Sequence, residues 1–431
     1  MPRYIIDWRL EKDPKTSVNY WKNCGKIEIN ENLMKEIKKL LGKTINNTEP
    51  FYKKRAWLIH YLSQNLGKIE TNPILVIDKN NILEASYQQF TTIKGLNLKL
   101  PLKIYYEDKK AHDDEGVVNR DWYSCLFRDI FSKEKRFFRE NPNECISRGT
   151  YLIHPKYDGM NMDYYKFIGK LFIKAFFDNI NIKGIQLNNV IIMAIMEKNI
   201  QLEDLKYYDL SLYKSLKEIK DNNIKEDKSF SEFKFVWNIR DKDNKIKEVE
   251  LIPNGKNISL NEENKLLFID KVIYQEIISP YEEQINNLRE GYYELIGKDI
   301  GVVFSIEEIK FLFSGQDILD INDWMENTEY KGNYDKNHKV IKMFWEKMKN
   351  LSQVELSKFM EFCTGVNNAP IDGFCALKGV GGKIHKFTIE PYINYSSDDL
   401  NKYEFRLIEA KTCFNRIILP EYRNTEEMDK D

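Results

Sequence analysis

Charge imbalance is the first thing this sequence lacks: 66 Lys and Arg stand against 67 Asp and Glu. A nucleic-acid binder usually carries a basic excess or stripe, so no nucleic-acid partner is expected. Cysteine is sparse, at positions 24, 125, 145, 363, 375 and 413, and no two stand in CxxC spacing. That excludes the usual zinc patterns and argues against a disulfide scaffold, so neither a metal nor another cofactor is expected. The simplest expectation is reduced thiols in an intracellular protein, cytoplasmic or nuclear, mostly buried as small hydrophobes. Long apolar runs are missing too. The longest, Val190–Met196, is the length of a buried helix, against the roughly 18 residues of a membrane span, so no membrane partner is expected. The opening MPRYIIDWRLEKD has charges inside its apolar stretch and is not expected to be a signal peptide.

What is present is core material. The sequence contains 24 Phe, 25 Tyr and 7 Trp, and 42% of it is hydrophobic, which excludes wholesale disorder. At 431 residues the chain exceeds what one compact core usually holds, so two or more domains are expected. Residues 1–70 form an extension, with a helical stretch near 31–41, a linker-like break, and an amphipathic helix over 51–65. Strands are expected at 74–77, 100–106 and 151–153, and helices at 120–131 and 162–179, the latter with a broad apolar face. Two or three helices follow over 185–222, then a hairpin pairing 235–237 with 249–251 through the polar DKDNK turn. Asn261 is the expected N-cap of a helix over 262–278. From Tyr281 to Lys349 the chain is expected to be helical again, interrupted at Ser314-Gly315 and Lys331–Asn337. Beyond Lys349, glycines, prolines and short apolar runs mark a small α+β unit, and no internal repeat is evident.

The residue that stands out chemically is Cys413, between the charged segment Leu407-Ile408-Glu409-Ala410-Lys411-Thr412 and the apolar run Ile417-Ile418-Leu419 before Pro420. The pattern is a loop entering a strand. Lys411 and Arg416 place positive charge beside the thiol, and positive neighbours favour the reactive thiolate. Taken alone, this leaves a buried structural thiol as the competing reading.

The surrounding residues are more specific. Lys411-Thr412-Cys413-Phe414-Asn415-Arg416-Ile417-Ile418-Leu419-Pro420-Glu421-Tyr422 resembles the active-cysteine segment of the HECT ubiquitin ligase family. Leu251-Ile252-Pro253-Asn254-Gly255 and Asn261-Glu262-Glu263-Asn264-Lys265 are similar to two further family stretches. Leu312-Phe313-Ser314-Gly315, Asp323-Trp324, Asn327-Thr328-Glu329-Tyr330, Phe344-Trp345, Phe362-Cys363-Thr364-Gly365 and Pro370-Ile371-Asp372-Gly373-Phe374 follow in the family's order. Upstream, Gly116-Val117-Val118-Asn119-Arg120-Asp121-Trp122 also fits, so the likeness spans roughly 75–422.

The resemblance implies an α+β, bilobal HECT fold: a large, mainly helical N-lobe over 71–349, a hinge at 350–353 and a small α/β C-lobe over 354–431. It implies a ubiquitin ligase that takes ubiquitin from a charged conjugating enzyme as a thioester on Cys413 and passes it to a lysine of a protein substrate. Thr412, Asn415 and Lys411 are the accompanying site residues. Thr412 either positions the cysteine or caps a turn; Asn415 either holds the loop or meets the thioester carbonyl. The conjugating-enzyme surface would fall near 185–250, where Tyr207, Tyr208, Tyr213 and Phe235 are candidates with core packing as the alternative for each. Arg120 and Asp121 are expected to form an ion pair, and the acidic loop 113–115 either orients an acceptor lysine or is simply solvated. Trp324, Phe344 and Trp345 are expected in the core, and Gly315, Gly365 and Gly373 in turns.

Four features depart from the family's pattern. Lys411 stands where His is common, Leu407-Ile408 replaces a Leu-Pro, Val117 replaces a glycine, and the sequence ends in the polar RNTEEMDKD where the family continues into a helix with an aromatic near its end. The last departure keeps a second reading open, a HECT-like scaffold that binds conjugating enzyme or ubiquitin without transfer. A third reading, a cysteine hydrolase pairing Cys413 with His385, needs an aligned base that nothing in the sequence brings near the thiol.

Overall fold

The computed structural model describes residues 4–12, 19–28, 31, 33, 35, 49–64, 72–93, 97–107, 115–142, 150–157, 159–178, 180, 185–224, 230, 232–240, 246–298, 303–314, 319–366, 368–379, 384–392 and 407–428. The expected acidic positions 113–114, the DKDNK turn at 241–245, the break after residue 41, Cys145 and Gly315 lie outside these residues. So do the side chains of Arg120 and Cys413.

The chain opens with β1 (Tyr4–Lys12), β2 (Asn19–Glu28) and α1 (Phe51–Gln64), followed by β3 (Ile74–Ile77), α2 (Ile82–Thr92), β4 (Lys103–Tyr106) and α3 (Glu115–Ile130). Then come β5 (Phe138–Glu140), β6 (Thr150–Ile153), α4 (Asp163–Asp178), β7 (Gln186–Leu187), α5 (Asn189–Ile195), α6 (Leu210–Asp221), β8 (Val236–Arg240) and β9 (Ile246–Glu250). Next are α7 (Lys265–Ile273), α8 (Glu282–Ile296), α9 (Ile306–Ser314), α10 (Ile321–Glu326) and β10 (Glu329–Tyr330). The chain closes with α11 (Lys339–Asn350), α12 (Gln353–Thr364), β11 (Thr388–Pro391), β12 (Glu409–Lys411), β13 (Arg416–Leu419) and α13 (Thr425–Met428). It is mixed helix and sheet, as an α+β fold requires.

Two compact units emerge: Met1–Cys125 with Lys174–Lys183 and Val302–Asp431, and Leu126–Ile173 with Gly184–Gly301. In the second, β5, β6 and β7 form a small sheet, and α4 crosses α8 where Gly169 meets Gly291. A Cβ on either glycine would collide with the facing helix backbone, so the helices approach this closely only because both positions lack one. The β8–β9 hairpin pairs Trp237 with Val249 as the sequence suggests, and Phe235 packs edge-on against Phe268 of α7. The helix after Asn261 starts later than expected. Asn261 and Asn264 exchange side-chain bonds across a turn, and α7 begins at Lys265.

The first unit contains an element that sequence patterning missed. Residues 4–12 and 19–28 pair antiparallel, β1 on β2, with a register shift between Ile6 and Trp8. Trp8 and Trp21 pack on Phe311 of α9, and the Trp8 indole donates to the Ile371 carbonyl at 2.8 Å. Lys54 of α1 is buried and ion-paired with Glu308 of α9 at 2.9 Å.

The same unit holds the four-stranded sheet β10-β11-β13-β12, in which β10, β11 and β13 run parallel and β12 is antiparallel to β13. Its core gathers Trp324, Phe344, Trp345, Met360, Phe374, Phe387, Ile389, Ile417 and Leu419. α11 is amphipathic: Val340, Ile341, Phe344, Trp345 and Met348 turn inward, and His338 caps its first turn. α12 starts at a Ser352–Glu355 capping box and stops at Gly365, whose φ of 75° is the left-handed cap that glycine adopts without a Cβ penalty. The Leu351-Ser352 break between these helices falls where a hinge was expected. Yet β10 and α11, upstream of it, share sheet and core with the strands downstream.

Candidate active site

Cys413 lies at the tip of a tight hairpin. β12 and β13 pair Lys411 with Arg416, which leaves the four residues Thr412-Cys413-Phe414-Asn415 to reverse the chain through one 3-10 turn. The expectation of a loop entering a strand is met, with a strand on the near side as well. Asn415 closes the turn with φ 49° and ψ 45°, a left-handed conformation that Asn tolerates better than most residues. Its N–H donates to the Thr412 carbonyl at 3.2 Å, and its own carbonyl accepts from Thr388 N–H at 2.9 Å.

The Asn415 side chain is fully buried. Its Nδ2 donates to the carbonyls of Lys378 at 2.9 Å and His385 at 2.7 Å, the two arms of the segment before β11. Both partners are acceptors, so the amide nitrogen must face them, and Oδ1 is left without a hydrogen-bond donor among the described residues. The geometry favours the loop-holding role for Asn415. It stitches the cysteine turn to the 377–385 segment.

Charge around the tip is unevenly available. Lys411 is exposed. Arg416 pairs with Glu390 at 3.2 Å and lies over the Phe414 ring at 5.6 Å, so part of its charge is spent locally. Thr412 is half-buried within the turn.

His385, which sequence reasoning could not connect to Cys413, is brought beside the turn. Its ring packs edge-on against Phe414 with centroids 6.1 Å apart. No sequence signal foretold this, because the approach is made by a bond from the Asn415 side chain to the His385 carbonyl, 30 residues away.

Cys24 is exposed, Cys125 and Cys375 are half-buried, and Cys363 is buried. Burial pushes the Cys363 thiol well above its ordinary value and raises that of Cys375. Asp121 pairs with Lys79 at 2.8 Å and accepts from Tyr106 at 3.0 Å; the expected pairing of Arg120 falls on a side chain outside the described residues. Burial would raise its pKa, but these bonds and the Lys79 charge outweigh it and hold the carboxyl below 3.8. Trp324, Phe344 and Trp345 are core residues, as expected. Of the four candidate aromatics, Phe235 and Tyr208 are buried and Tyr213 is half-buried, while Tyr207 is exposed together with Phe233 and Ile246. Among the described residues, no group of three His, Cys, Asp or Glu side chains converges as a metal site, and no helix is long and apolar enough to cross a membrane.

Residues 124–431 match the family model described as HECT-domain (ubiquitin-transferase), and the chain belongs to that family. It is 32% identical over 404 residues to the E3 ubiquitin-protein ligase pub1 of Schizosaccharomyces pombe, covering 90% of this chain and 49% of that protein. To the E3 ubiquitin-protein ligase HUWE1 of Mus musculus it is 30% identical over 355 residues, covering 82% of this chain and 8% of the relative. To UPL2 of Arabidopsis thaliana, another E3 ubiquitin-protein ligase, it is 31% identical over 356 residues, 80% of this chain and 9% of the relative. The chain thus spans about half, or far less, of the length of these curated relatives.

Proposed function

We propose that this chain is a HECT-type ubiquitin-protein ligase whose Cys413 accepts ubiquitin as a thioester from a conjugating enzyme and yields it to a lysine of a protein substrate. The observation that carries this is the presentation of Thr412-Cys413-Phe414-Asn415 at a pinned hairpin tip inside a HECT-family chain. Thioester exchange is nearly neutral in energy, so loading needs thiolate character and access rather than a strong base. Lys411, exposed and adjacent, supplies positive charge. Thr412 and Asn415 fix the turn that carries Cys413. The partners are a ubiquitin-charged conjugating enzyme, ubiquitin and protein substrates. Exposed Tyr207, Phe233 and Ile246 support a conjugating-enzyme surface near 185–250. The lobe that carries Cys413, taken as the residues sharing its sheet, begins near Glu329 rather than at 354, because β10 is the sheet's edge strand.

The test is transfer from a ubiquitin-loaded conjugating enzyme to Cys413→Ser. A hydroxyl there traps ubiquitin as an ester that resists thiol reductant and is cleaved by alkali, while the native adduct is cleaved by reductant. An adduct on the serine variant that reductant still removes would place the thioester on another cysteine. Binding of the conjugating enzyme without any adduct on the native chain would favour the scaffold reading.

A further inference from the structure

The second half-reaction makes a demand that the turn residues do not meet. When a lysine amine attacks the thioester, a C–N bond forms, the C–S bond breaks, and the electron pair leaves on the Cys413 sulfur. As the amide forms, the nitrogen loses one proton to the departing sulfur or to water; but lysine reaches the site as an ammonium at neutral pH, and its lone pair is freed only when a base first takes a proton from it. Lys411 and Arg416 carry donors and no acceptor, and neither the Thr412 hydroxyl nor the Asn415 amide is a useful base. Glu390 is committed to Arg416.

We infer that His385 accepts this proton, an inference that rests on the ligase reading of Cys413. Its imidazole packs against Phe414, the residue next to Cys413 in the turn, at 6.1 Å between ring centroids. Phe414 adjoins Cys413 in the turn, their Cα atoms about 3.8 Å apart, so the imidazole packs on the residue next to the cysteine. The placement is built in rather than incidental. The His385 N–H donates to the Leu377 carbonyl at 2.8 Å, and its carbonyl is gripped by Asn415 Nδ2 at 2.7 Å. The residue that closes the cysteine turn therefore also clamps the backbone that carries the imidazole. The ring is half-buried: ordered by Phe414 on one side, and open enough to pass the proton to water. Imidazole is the side chain suited to taking and releasing a proton near neutral pH. The balance closes without a co-reactant: one proton moves from the ammonium to the imidazole and then to solvent, the second leaves the nitrogen for the departing sulfur or water as the amide forms, and Cys413 is regenerated.

The experiment separates the two half-reactions in the full chain. Cys413 is loaded from a ubiquitin-charged conjugating enzyme, the donor is quenched, and discharge is followed with free lysine and, in parallel, with hydroxylamine, whose nitrogen is largely unprotonated at neutral pH. His385→Ala and His385→Gln should load Cys413 but discharge to lysine about 10²-fold more slowly, the scale of a lost general base. Discharge to hydroxylamine should change little, and free imidazole should restore lysine discharge in His385→Ala. Glutamine fills the space beside Phe414 without being a base, so its failure to rescue would confirm a proton role. Unchanged lysine discharge overturns the inference, as does equal slowing with both nucleophiles, which would mark a packing role. If the native chain fails to load at all, the ligase reading falls first and this inference with it.

Discussion

Asn415 concentrates more structural work than any other residue at the tip. It adopts the left-handed conformation, caps Thr412, and satisfies two buried carbonyls with one amide. Replacing it with glycine keeps the backbone conformation and removes the amide. The orphaned carbonyls should then cost about 1–3 kcal/mol. Alanine should cost roughly 1 kcal/mol more, because its Cβ disfavours the left-handed region. Urea unfolding of the two variants checks both the sum and the difference; equal losses would mean that the backbone strain is absent. The Thr-Cys-Phe-Asn string was legible in the sequence, but this clamp was not. Bonds from a side chain to carbonyls 30 and 37 positions away leave no periodic trace. Asp121 gives a pH-dependent case. Its folded-state pKa is held below 3.8 by Lys79 and Tyr106 against the opposing effect of burial. A depressed carboxylate pKa stabilises the fold fully above the unfolded value, and that contribution disappears as pH falls through the folded value. Asp121→Asn should therefore be less stable than the native chain at neutral pH, with the gap closing on acidification below 3.8. A gap that persists there would assign the loss to something other than the charge.

Among elements, the join between α1 and α9 combines the packing of Phe51 on Phe311 with a buried ion pair. Lys54 is 1% exposed at its side chain and Glu308 11%, and the carboxylate also accepts from Ser305 N–H. Removing one partner leaves a buried charge uncompensated. Lys54→Met should lower stability by about 3–5 kcal/mol, and Lys54→Met with Glu308→Leu should recover most of the loss. Thermal unfolding of the single and double variants decides the matter, since additive losses would show that the pair is not coupled. Helices with clear apolar faces, α1, α4 and α11, were readable from periodicity because their burial repeats at the helical spacing. The β1–β2 pair was not. Its alternation breaks at the register shift after Ile6, and β2 mixes Lys, Asn and Cys into the strand. The two-residue strand β10 is too short for any pattern; only its pairing with β11 assigns it to the cysteine-bearing sheet.

At the scale of the whole molecule, composition and motif order led to an α+β chain of the HECT family, and the family match bears that out. The α/β character of the C-terminal residues was visible because glycines, prolines and short apolar runs punctuate them. The reach of that core back to α11 and β10 was hidden, because those residues are helical or too short to read. What links every scale is one geometrical statement: Asn415, through the carbonyls of Lys378 and His385, and the β12–β13 pairing hold the turn of Cys413 at the hairpin tip, where we propose acyl transfer. Single-turnover loading from a ubiquitin-charged conjugating enzyme, resolved on non-reducing gels for the native chain beside Cys413→Ala, tests it most directly. The account predicts a reductant-sensitive ubiquitin adduct on the native chain and none on a folded Cys413→Ala chain. An adduct of undiminished yield on that variant would contradict it.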